Sequence, residues 1–124
     1  YVKQHYPELI MLAPVLSEIA KASQTAGLVT ALEVFADRTY EDDGTLTPRS
    51  IEGSLITDPL QASNHVKNMI EKKAIISRSG KKLPTTFNSI CLHSDTPNSV
   101  EISNQICILL HSMEVQQQTL PELF

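Results

Sequence analysis

The segment Glu8–Ala36, ELIMLAPVLSEIAKASQTAGLVTALEVFA, holds two apolar runs on either side of an amphipathic stretch. Glu8 to Ala13 is nearly continuous in apolar residues and is bounded by Pro7 and Pro14, which predicts a short buried strand. Residues 15–26 place Val15, Leu16, Ile19, Ala20 and Ser23 at helical spacing, and Gly27 follows where a helix-terminating glycine belongs. Leu28 to Ala36 is rich in β-branched and aromatic residues and predicts a second strand. Strand, helix and strand in immediate succession make a parallel crossover unit.

Downstream, Asp37 to Gly53 is polar and aperiodic, with the turn signal Asp42-Asp43-Gly44; connections of this length are usually functional or disordered. Ser54–Thr57 is a minor extended piece. Asp58-Pro59 opens a helix as N-cap and first helical residue, with Ala62, Val66, Met69, Ile70 and Lys73 on one face. Residues 74–87 read as a small hairpin turning near Ser79-Gly80, and Ser89–His93 as another apolar strand. Asn98 with Glu101 resembles a capping box before a last helix carrying Ile102, Ile106, Leu109 and Met113. Residues 1–7 look like the end of a helix stopped by Pro7, and 116–124 form a tail without periodicity, expected to be disordered.

This order predicts an α/β fold with parallel strands and a small hairpin. About three core strands are present, whereas a closed parallel barrel needs about eight such units and roughly 250 residues. A chain of 124 residues starting at Tyr1 therefore reads as a piece of something longer.

Composition narrows the function classes. With 41% apolar and 19% charged residues the balance is that of a globular protein. Net charge is −4 and no Lys/Arg run exceeds two residues, which argues against a nucleic-acid surface. No apolar stretch approaches the ~20 residues of a membrane span. Cys91 and Cys107, each inside an apolar run, read as two buried reduced thiols of a cytoplasmic protein.

In parallel α/β architectures chemistry gathers at the carboxyl ends of strands, and two clusters sit there. The first is Glu33-Val34-Phe35-Ala36-Asp37-Arg38-Thr39-Tyr40, where alternation turns Glu33, Phe35 and Asp37 to one side. A carboxylate such as Glu33 in an apolar strand needs a partner, for which Arg38 or Arg49 is available. The second is His93-Ser94-Asp95. A continuing strand would bring His93 and Asp95 to one face as base and orienter, or as metal ligands. The competing reading is a capped turn in which Asp95 or Thr96 starts the next helix. His5, His65 and His111 read as surface or groove histidines. Ser79-Gly80-Lys81 lacks the strand–loop–helix setting of a phosphate loop, and Ser94 has no nucleophile elbow around it.

Glu33–Tyr40 followed by Asp43-Gly44-Thr45-Leu46 and Arg49, together with Ile90-Cys91-Leu92-His93-Ser94-Asp95-Thr96-Pro97, resembles the LamB/YcsF family, which includes lactam utilization proteins and the A subunit of 5-oxoprolinase. The resemblance runs over roughly residues 7–115. It implies a (β/α) barrel of the glycoside hydrolase/deacetylase type, of which residues 1–115 would be the C-terminal half, since family members run to about twice this length and carry amino-terminal motifs absent here. It further implies ATP-dependent opening of the lactam 5-oxoproline to L-glutamate, carried out with partner subunits B and C. On that resemblance His93, Asp95, Glu33 and Asp37 would be catalytic and Arg38, Tyr40 and Arg49 would bind substrate. Arg38 or Arg49 would pair with its carboxylate. His93 with Asp95 would handle protons, and Glu33 and Asp37 would either orient them or bind a divalent metal. Two other readings stand beside this one: a non-catalytic remnant or association module of the same family, and a small module binding an anionic metabolite.

Overall fold

The computed structural model describes residues 1–124. Its centre is a three-stranded parallel sheet of β1 (Met11–Pro14), β2 (Thr30–Phe35) and, after an antiparallel hairpin of β3 (Ala74–Ile76) and β4 (Lys82–Pro84), β5 (Ser89–Cys91), in the order β1-β2-β5. Met11 pairs with Thr30 and Pro14 with Glu33, while Glu33 pairs with Ser89 and Phe35 with Cys91. The expected crossover is therefore present, and the fold is α/β with a parallel sheet. β1 lies later than expected, at 11–14 rather than 8–13.

The connecting helix α2 (Glu18–Thr25) is shorter than the 15–26 read from spacing. Leu16 adopts φ +61 and Ser17 caps the helix, accepting the Ala20 N–H, so Val15 and Leu16 belong to the loop. Leu16 packs there against Gly44, where any Cβ would stand 2.9 Å from Leu16 Cδ1. A side chain there would force Leu16 to shift, and at φ +88 Gly44 holds a backbone conformation that favours glycine.

α3 (Pro59–Lys72) begins as the sequence predicts, with Asp58 accepting the Gln61 N–H at 2.8 Å. Lys73 is its left-handed cap at φ +46 rather than a member of its apolar face. β3 (Ala74–Ile76) and β4 (Lys82–Pro84) form the expected antiparallel hairpin.

α4 (Ser99–Ser112) packs against α3. Ile102, Ile106 and Leu110 face inward with Ala62, Val66 and Met69, and these side chains meet Val34, Ala36 and Ile75 in one core. The capping box expected at Asn98 does not form. Asn98 sits at φ +61 and donates its amide to the Thr57 carbonyl at 3.0 Å instead, binding the two helix starts together. A capping box forms instead at Thr119–Glu122, opening the single turn α5 (Leu120–Leu123) in the stretch where no periodicity was found. At the other terminus, α1 (Val2–His5) is likewise one turn. The cysteines also differ from expectation: Cys91 is half-buried, and Cys107 is exposed because it lies off the Ile102–Ile106–Leu110 face. No helix is long and apolar enough to cross a membrane.

Candidate functional site

β2 and β5 run parallel, so the residues that leave their carboxyl ends emerge together. Asp37 follows β2 by two residues and His93 follows β5 by two, matching the Phe35–Cys91 register. The Asp37 side chain is fully buried. Its Oδ1 lies 2.9 Å from His93 Nδ1, and its Oδ2 accepts the His93 backbone N–H at 3.1 Å and the Thr96 hydroxyl at 2.5 Å. Burial alone would push the Asp37 carboxyl up. The hydrogen bonds from Thr96 and His93 outweigh it and hold the group below the usual carboxylate range. An ionised Asp37 only accepts, so it draws the imidazole proton to Nδ1 and leaves Nε2 with its lone pair. The His93 ring stacks on Phe35 at 5.6 Å and 12°, and its side chain is 25% exposed.

Glu33 lies one alternation behind Phe35 on the same face, level with Ser89 and Pro14. Burial raises its pKa, and the nearby His93 charge offsets only part of that. Neither arginine partners it. The Arg38 Nη2 donates to the Thr47 carbonyl at 2.7 Å inside the protein, and its Nε finds no partner. Arg49 sits at the surface, 3.6 Å from Asp95, with both side chains at least half exposed. Asp95 is therefore paired with Arg49 and not with His93. β5 stops at Cys91 and the chain turns through residues 94–97, so the alternation that would have aligned His93 with Asp95 is lost. Tyr40 is buried and its Oη accepts the Phe35 N–H at 2.9 Å, a brace for the end of β2. Its phenol is pushed well above the usual range, chiefly by burial.

Of the seven residues singled out, the structure thus joins His93 and Asp37, places Glu33 on the same strand face within range of the His93 charge, and separates off Asp95, Arg38, Tyr40 and Arg49. Two further residues sit differently from the sequence reading. Thr96, read as a helix start, donates into Asp37. His65 is no surface histidine: its Nε2 is buried without a partner beside Tyr40, and burial lowers its pKa. Its position between Ala62 and Val66–Met69 on the inner side of α3 was the available signal.

The polar segment 37–53 is folded over this end by its own hydrogen bonds. Thr39 Oγ1 donates to the Gly53 carbonyl at 2.9 Å, and Asp42 accepts the hydroxyls of Ser77 and Ser79 from the hairpin. Ser79-Gly80-Lys81 is a hairpin turn tied to Asp42, not a phosphate cradle. No three His, Cys, Asp or Glu side chains converge as metal ligands, and the oxygens of Asp37 are taken up by His93 and Thr96. These residues by themselves do not fit a divalent cation. A recess of about 290 Å³ opens beside His93, lined by Ser94, Ser99, Ser103 and Asn104. The larger groove, about 500 Å³, lies at the opposite end, where Phe87 and Ser89 enter β5. Of the two, only the smaller is lined by His93.

Known proteins resemble this chain in sequence and in fold. The chain is 41% identical over 93% of its length to the A subunit of 5-oxoprolinase from Coprothermobacter proteolyticus, and 39% identical over 94% to that of an Azoarcus species. It spans 44% and 45% of those two proteins, so it covers a little under half the length of the curated relatives it matches. The crystal structure of the lactam utilization protein from Thermus thermophilus superposes with a TM-score of 0.82 at 28% identity, covering 94% of this chain and 46% of that one. The LamB/YcsF family model matches residues 1–124 throughout, and the chain belongs to the LamB/YcsF family.

Proposed function

We propose that this chain supplies the proton-transfer part of the A subunit of a 5-oxoprolinase, as the C-terminal half of its (β/α) barrel. In this reading 5-oxoproline is opened to L-glutamate together with subunits B and C, in the cytoplasm. The observation that carries it is the buried Asp37 carboxylate bonded to His93 Nδ1, at the carboxyl ends of two parallel strands. The names of the relatives supply the substrate.

In the assembled enzyme, ATP would supply the activation that makes the lactam amide a better electrophile. The residues of this chain then handle protons. His93 Nε2 takes the proton of the attacking water, and Asp37 holds the ring and stabilises the imidazolium that forms. Glu33, whose pKa is raised by burial, keeps a proton more readily than an ordinary glutamate and returns it to the departing ring nitrogen. The carboxylate of 5-oxoproline is not assigned to Arg38 or Arg49, because both are engaged within the chain. That engagement also weakens the reading as an anionic-metabolite module. An association role draws support from the exposed Val100 and Ile108 of α4.

The test is lactam hydrolysis by the assembled enzyme with the His93→Ala and Asp37→Asn changes. Loss of a general base is expected to lower kcat by about 10²–10⁴-fold. Turnover unchanged in both variants would overturn the assignment.

A further inference from the structure

We propose that Thr96 is a positioning residue of this site: its hydroxyl locks the Asp37 carboxylate in the orientation that fixes His93 with the proton on Nδ1. This rests on the proton-transfer reading above for its consequence in catalysis, but its structural content stands alone.

Three observations converge on Thr96. Its hydroxyl and the carboxylate it meets are both inside the protein, at 5% and 0% exposure, so water does not compete for the contact. An ionised carboxylate has no proton to give, so the 2.5 Å contact has a single polarity, from Thr96 Oγ1 to Asp37 Oδ2. The backbone of the same residue also reaches back to the histidine, its N–H donating to the His93 carbonyl at 3.4 Å. Thr96 therefore clasps Asp37 through its side chain and His93 through its main chain.

The geometry also explains why a hydroxyl is needed there. His93 already supplies Asp37 with two donors, the backbone N–H and Nδ1–H. Nδ1 lies 2.9 Å from Oδ1 and 3.1 Å from Oδ2, so both oxygens are within reach of the ring. With the Thr96 hydroxyl on Oδ2, that oxygen carries two other donors and Oδ1 is left to the imidazole. Without it, one oxygen of a buried carboxylate loses a charge-assisted hydrogen bond. The carboxyl then gains proton affinity, and it is no longer fixed in orientation; the lost orientation is what loosens its hold on the Nδ1–H tautomer.

The experiment is imidazole and carboxyl NMR on the full 124-residue chain, uniformly labelled with ¹⁵N and ¹³C, as wild type, Thr96→Val and Thr96→Ser. Wild type is expected to show His93 with its proton on Nδ1. Thr96→Val is expected to show a mixture of tautomers and an Asp37 carboxyl titrating at higher pH, and Thr96→Ser to restore both. In the assembled enzyme, Thr96→Val should lower kcat/KM about tenfold, the size of one hydrogen bond to a charged group. A merely structural threonine would lower Tm in Thr96→Val and leave tautomer and carboxyl midpoint where they were, which would overturn the proposal. So would a wild-type His93 protonated on Nε2, a result that needs no variant to fold. If the tautomer and the midpoint respond while no variant, wild type included, opens 5-oxoproline, the positioning role stands and the 5-oxoprolinase reading falls.

Discussion

Glu33 and Asp37 are two carboxylates on one strand face whose surroundings push them in opposite directions. Asp37 is held ionised by Thr96 and His93, whereas Glu33, without an arginine, is pushed up by burial. The two shifts have opposite signs for stability. A depressed carboxyl stabilises the fold above its unfolded pKa, and that contribution is lost as pH falls below the ordinary value of 3.8. A raised carboxyl costs stability once the pH exceeds its unfolded value of 4.5, and the cost is complete above its folded pKa. Glu33→Gln is therefore expected to raise Tm at pH 7 and to leave it unchanged near pH 4, as measured by thermal melts at the two values. A variant that melts lower at pH 7 would show that the Glu33 charge is compensated. The sequence made both carboxylates visible, because acids are conspicuous in an apolar strand. It did not show their partners, since the donors to Asp37 lie 56 and 59 residues away and pairing at such range is a property of strand register.

Among the elements, α3 was the most legible. Asp58-Pro59 marks its start through local chemistry, an aspartate accepting an N–H and a proline whose missing N–H costs nothing there. Its end was misread because helical spacing continues onto Lys73, while the backbone has already turned left-handed at φ +46. That conformation is unfavourable for a residue with a Cβ, by roughly 1–2 kcal/mol. Lys73→Gly should accordingly stabilise the protein by about 1 kcal/mol, visible as a Tm rise of several degrees; an unchanged Tm would mean that the lysine side chain makes up the difference. α2 and β5 were overextended for a related reason. Apolar periodicity reports which residues are wanted inside, and Val15 and Leu92 both pack on the core from outside a regular element. The capping signal at Asn98–Glu101 failed because the Asn98 amide is used across to Thr57, a contact between helices that no local pattern carries.

For the molecule as a whole, the parallel sheet ends at two unpaired edges, β1 and β5. Beside them, exposed aliphatic side chains stand on the flanking helices, Ile19 on α2 and Val100 and Ile108 on α4. Val100 and Ile108 are 67% and 62% exposed, so α4 is apolar on its outer as well as its inner side. The chain is expected to self-associate at micromolar concentration, and Ile108→Lys to weaken that association about tenfold, consistent with the ~1.5–3 kcal/mol of a buried isoleucine. Light scattering behind size-exclusion chromatography measures both, and a strictly monomeric wild type would refute the expectation. The parallel order also has a temporal side. Asp37 leaves the ribosome 59 residues before Thr96 does. At synthesis rates of about 5–20 residues per second, that is an interval of roughly 3–12 s. For most of it the nascent chain has the β1 and β2 segments without β5, and throughout it a carboxylate whose hydroxyl donor has not been made. Any chaperone that attends this protein during translation has that interval in which to act, and what it shields is the strand edge that β5 will later occupy.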